Sequence, residues 1–117
     1  MINPKLNEKI ILNSVSLEKY GFNTLAWNKT DAKNLIHSIM HDKIGIFGGD
    51  VYKLTSHLDP LRDNWSCRSR SGKLETKEEY YLRSKTEPLK YIENYPVKPD
   101  QNILFSITFT EDVMMPD

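Results

Sequence analysis

A glycine pair inside a strand-forming run constrains this chain more than any other feature. Residues Ile44-Gly45-Ile46-Phe47-Gly48-Gly49-Asp50-Val51-Tyr52 read as a buried strand, from about Gly45 to Leu54, carrying two glycines and a carboxylate. Glycine has no side chain to pack, so a pair in a strand interior marks a bulge or a place where another backbone comes close. This stretch is the expected organising centre of a sheet.

The sequence around it reads as a mixture of helices and strands. Asn3-Pro4 is a helix start, with Asn as N-cap and Pro at the first helical position, and the helix is expected to reach Asn13. Residues 14–29 read as turns with a short extended piece. Thr30-Asp31 is expected to cap a second helix running to about His41, with Ala32, Leu35, Ile36, Ile39 and Met40 on one face. Ser56 to Arg62, with Asp59-Pro60, reads as a turn or loop, Asn64 to Arg68 as a strand, and Ser69 to Lys73 as a polar hairpin or loop.

Thr76-Lys77-Glu78-Glu79 has the form of a capping box, and the helix it opens is expected to run to about Tyr95. Pro88 lacks an amide proton and predicts a kink or interruption there; Pro96 and Pro99 end the helix. From Asn102 to Thr110, Ile103, Phe105, Ile107 and Phe109 alternate with Leu104, Ser106, Thr108 and Thr110. Strict alternation predicts a strand with one buried and one wetter face, and a strand at a sheet edge would leave room for pairing with a second copy. The expected fold class is α+β: a single domain over residues 1–117, with a small, mostly antiparallel sheet packed with helices.

Charge excludes the simplest partners. Lys plus Arg number 16, as do Asp plus Glu. No net field steers the chain onto nucleic acid or an anionic membrane. No segment has the apolar length of a membrane span and the start reads as no signal peptide, so the expected location is cytoplasmic. The single cysteine, Cys67, rules out an intrachain disulfide and reads as structural.

Three clusters offer chemistry. His37 and His41 are four residues apart with Asp42 adjacent, but a metal would need His57 or Asp50 from elsewhere, and no metal or cofactor is expected. Gly48-Gly49 could turn amides toward an anion, yet no phosphate-loop pattern follows, and a strand bulge with Asp50 capping local amides reads better. Arg62, Arg68, Arg70 and Lys73 surround Trp65, a combination suited to single-stranded nucleic acid or to a protein interface. No nucleophile stands in a catalytic elbow, so an enzyme is not expected.

Gly21, Ala26-Trp27, the helix after Thr30, Gly48-Gly49-Asp50-Val51-Tyr52, Asn64-Trp65, Ser84 and Tyr91-Ile92 with Asn94-Tyr95 together resemble the bacterial immunity protein family numbered forty. The resemblance covers about Ser16 to Phe109. The chain departs from the pattern at Ser66, where another aromatic would follow Trp65. The resemblance implies a cytoplasmic α+β protein of a polymorphic toxin system, encoded beside a toxin whose domain it binds and neutralises.

On that reading, inhibition is stoichiometric and works through a protein–protein interface. Asp50, Tyr52, Trp65, Arg68 and Arg70 are its expected partner-binding residues, because central aromatic and arginine anchors dominate such interfaces. The competing readings are a nucleic-acid-binding module using Arg62–Lys73, and an enzyme or metal protein, such as a metal-dependent enzyme, using His37, His41 and Asp50.

Overall fold

The computed structural model describes residues 11–66 and 75–109, and of Arg62 only the backbone. Among the described residues, six strands and two helices form an α+β domain. The strands are β1 (Val15–Ser16), β2 (Leu25–Asn28), β3 (Ile46–Leu54), β4 (Leu58–Ser66), β5 (Ile103–Ser106) and β6 (Thr108–Phe109). The helices are α1 (Lys29–Ser38) and α2 (Lys77–Asn94), and a 3-10 turn, Glu18–Tyr20, follows β1. The sheet order is β1-β2-β5-β3-β4, with β6 also on β3, and every pairing is antiparallel. The helix expected over Pro4 to Asn13 lies mostly outside the described residues, as does the hairpin or loop over Ser69 to Lys73.

Both faces of the sheet are buried, but by different material. Ile46 and Val51 of β3 and Ile103 and Phe105 of β5 turn toward Leu35 and Ile36 of α1 and Ile92 of α2. Their neighbours Tyr52 and Leu104 point the other way, and meet Leu17, Ala26 and Leu58, with Tyr20 and Phe22 packed against them. Leu104 and Ser106 were expected on a wetter face, yet all four residues of β5 are buried. The segment from β1 to β2 covers Leu104. It is also why β5 is no edge: it lies between β2 and β3, which leaves it no free side for a second copy.

The ends of the helices depend on tertiary partners. The N-cap of α1 is Asn28, not Thr30: its side-chain oxygen accepts from the Asp31 amide at 2.8 Å. At the other end α1 stops at Ser38, short of His41. There Lys85, fully buried on α2, donates from Nζ to the carbonyls of Ile39 (2.9 Å) and Asp42 (2.6 Å). In return Lys29, the first residue of α1, donates to the carbonyl of Tyr95 just beyond α2, at 2.8 Å. Each helix thus has a lysine from the other at its C-terminal end, where unpaired carbonyls and the helix dipole favour a cation.

The capping box on α2 is present: Thr76 Oγ1 accepts from the Glu79 amide, and the Glu79 carboxylate accepts from the Thr76 amide. The helix runs from Lys77 to Asn94 without interruption at Pro88, whose ring is buried. Packing keeps the turn helical where the missing donor alone would end it. Ser84, also fully buried, ties the helix to the sheet: its Oγ accepts from the Ile46 amide at 3.1 Å and donates to the Tyr81 carbonyl at 2.8 Å.

Burial lowers the Lys85 pKa from 10.5 to about 8, with the nearby Asp42 charge opposing the shift only in part. Between about pH 8 and 10.5 the unfolded chain holds this proton and the folded chain releases it. Stability contributed by Lys85 therefore rises with pH through that window. A neutral amine keeps two N–H donors, enough for both carbonyls. Tyr95 works oppositely: burial and its bond to Asp63 raise its phenol to about 12, so its contribution falls as pH climbs from 10. Denaturation of wild type and Lys85→Met across pH 7–10.5 separates the two. The stability difference should grow with pH by roughly 1–3 kcal/mol. A pH-independent difference would show that Lys85 titrates normally.

Candidate functional site

Directly opposed residues in an antiparallel sheet point to the same face. Across β5 or β6, β3 and β4, the face away from the helices therefore carries three successive rows. Leu104, Tyr52 and Pro60 form the first and Thr108, Gly48 and Ser66 the third. Between them, Asn64 lies opposite Asp50, and Ser106 reaches the Asp50 amide through its hydroxyl at 3.0 Å. The covering layer is unequal along these rows. Phe22 packs edge-on against Tyr52, ring centroids 5.3 Å apart, whereas Asp50, Asn64, Ser66 and Thr108 are exposed. Among the described residues this end of the sheet carries no covering layer, and it is the candidate site.

An irregularity in β4 shapes its floor. Asp50 pairs with Asn64 and Tyr52 with Pro60, so a two-residue step on β3 faces a four-residue step on β4. The extra length bulges β4 and carries Asp63 around the sheet margin, where its Oδ2 accepts from the Tyr95 hydroxyl at 2.5 Å. A hollow of about 350 Å³ results, lined by Phe22, Asp50, Val51, Tyr52, Pro60 and Asp63. Burial raises the Tyr52 phenol, the Asp50 charge raises it further, and a hydrogen bond to Ser106 partly offsets both. Tyr52 thus lies in the floor as a neutral ring, its hydroxyl beside an exposed carboxylate.

Residues 58–62 correct an expectation. They were read as a turn or loop on account of Asp59-Pro60, but they are strand, and β4 is continuous from Leu58 to Ser66. Among the described residues β4 pairs only with β3, and a proline is tolerated in a strand with one neighbour because its missing donor interrupts no second ladder.

The residues expected to bind a partner fall in different places. Asp50 and Tyr52 line the hollow together. Trp65 does not. Its ring lies over Gly49 on the helix side of the sheet, 5.1 Å from Tyr91 and 6.4 Å from Phe105 between centroids. It is partly buried and packs against the main core cluster, with its indole Nε1 buried and unpaired among the described residues. Arg68 and Arg70 lie outside the described residues. Phe22, Pro60, Asp63 and Ser106 complete the site and carried no sequence signal of their own; only the pairing of distant strands gathers them.

The glycine pair proves to be a close approach. A Cβ on Gly48 would stand 2.5 Å from the Trp65 carbonyl oxygen, and one on Gly49 would overlap both the Ser106 carbonyl and the Trp65 ring. Asp50 does not cap amides here; its own amide is taken by Ser106 Oγ. His37 and His41 are both exposed, and His57 faces Asp59 at 3.2 Å. Among the described residues no three His, Cys, Asp or Glu side chains gather as a metal site would require. No described helix is long and apolar enough to cross a membrane.

Among the described residues, this end of the sheet sets exposed polar groups over a packed floor. The model of the family described as Immunity protein 40 matches residues 16–109, from β1 through β6, and the chain belongs to that family. Membership points to a toxin-immunity role. No curated protein and no solved structure matches the chain.

Proposed function

We propose that this protein neutralises a cognate toxin domain by binding it one to one, inside the cell that makes both. The observation that carries this reading is the family match across every described strand and both helices. The geometry supports a binding mode rather than a reaction. The hollow is lined by Asp50, Asp63, the neutral phenol of Tyr52 and the apolar Phe22, Val51 and Pro60, and among these described residues none is a nucleophile beside a base.

A standard interface buries about 800 Å² on each partner, more than the hollow alone offers, so contact extends over Asn64, Ser66 and Thr108 on the same face. Protection demands slow release, which favours a packed centre over rim charges. Phe22, Tyr52 and Asp50 supply that centre.

The test is calorimetric titration of this protein into an inactivated toxin domain encoded by the neighbouring gene. One-to-one binding in the nanomolar range or tighter is expected. No binding between two folded proteins would remove that partner, and salt-dependent RNA or DNA binding would put the Arg62–Lys73 reading in its place.

A further inference from the structure

We infer that the hollow on the helix-free face receives a cationic side chain of the toxin, an arginine or lysine projecting from an otherwise apolar contact. This rests on the immunity reading and adds the chemistry of the partner. Asp50 and Asp63 both contribute to the lining of one hollow. The described side chains lining it include no cation to answer them. Asp50 is exposed, and its carboxylate makes no hydrogen bond or ion pair among the described residues. Asp63 is held in place through Oδ2 by the Tyr95 hydroxyl, which leaves Oδ1 to accept from a partner.

The walls fit the same ligand. Phe22 and Tyr52 meet edge to face, and Pro60 closes the β4 side. Aromatic rings attract the head of a cationic side chain, and apolar walls take its methylene stem. A guanidinium adds a planar fork that a carboxylate accepts on two oxygens. The acidic character is local, because the whole chain has 16 basic and 16 acidic residues. The carboxylates therefore select a partner by position rather than by overall field.

The experiment compares wild type, Asp50→Asn, Asp50→Lys and Lys90→Glu in titrations against the inactivated toxin domain, at low and moderate salt. Asp50 is exposed, so the variants should melt like wild type. Asp50→Asn is expected to weaken binding about 10-fold and Asp50→Lys about 100-fold or more, both mainly through faster dissociation. Lys90→Glu, on the exposed side of α2, should bind within about twofold. Reversing the charge of one toxin arginine or lysine should restore binding to Asp50→Lys and not to wild type.

If wild type binds while both Asp50 variants bind within twofold of it, the assignment is overturned and the immunity reading stands. If wild type itself does not bind, the immunity reading fails and takes the assignment with it. Should Asp50→Lys not fold, Asp50→Asn decides alone.

Discussion

Gly49→Ala is expected to destabilise the protein by about 3 kcal/mol or more, at or beyond the upper end of ordinary overpacking. The new methyl would meet two obstacles at once. One is the Ser106 carbonyl oxygen, a backbone atom that cannot rotate aside. The other is the Trp65 ring, itself wedged against Tyr91 and Phe105. The carbonyl stands where β5 gives way to β6, around Ile107, and there the Ser106 hydroxyl serves the Asp50 amide.

Any shift that relieves the methyl must therefore move the junction of two strands. Gly21→Ala is the control. That residue has φ +93° with nothing within 4 Å of an added methyl, so it should lose only about 1 kcal/mol, from backbone strain. Urea denaturation of both variants measures the contrast. Equal losses would mean that glycine at position 49 serves conformational freedom and not space.

Trp65→Ala is expected to cost about 3–5 kcal/mol of stability, the range for removing a large ring from a core. The alternative, an exposed anchor, would cost binding of about 2 kcal/mol or more with little loss of stability. The ring's position over Gly49 and among the helix-side aromatics predicts the first outcome. Trp65→Phe refines the test. It preserves much of the packing and removes Nε1, a buried donor without a partner among the described residues. An unmade buried hydrogen bond is itself unfavourable by about 1–3 kcal/mol, so the Phe variant should lose far less than the ratio of ring sizes suggests. Loss of toxin affinity at unchanged stability in Trp65→Ala would return Trp65 to the interface.

Tyr52 and Trp65 show why a sequence reading can place residues in strands yet not say which face of the sheet they occupy. Both are aromatic residues in strands, and composition treats them alike. Their faces depend on register: Tyr52 opposes Pro60 and Leu104, while Trp65 opposes Gly49. A shift of one residue would exchange the faces. The four-for-two irregularity in β4 that sets this register lies where Pro60 argued against a strand.

The sequence by itself determined the elements whose causes are local. The α2 capping box needs only Thr76 and Glu79, and it forms. The apolar stripe of Ala32, Leu35 and Ile36 needs only helical spacing, and it is buried. The glycine pair announced a bulge or a close approach, and of these the Ser106 carbonyl makes the close approach. Tertiary structure alone decided where distant residues meet. A turn between β1 and β2 buries Leu104 on a face that alternation left to water. Lys85 answers carbonyls more than forty residues away. Asp50 and Asp63 share one hollow because β4 bulges between them. Local pattern is written in spacing along the chain, whereas pairing and cover are written in contacts between segments that spacing does not relate.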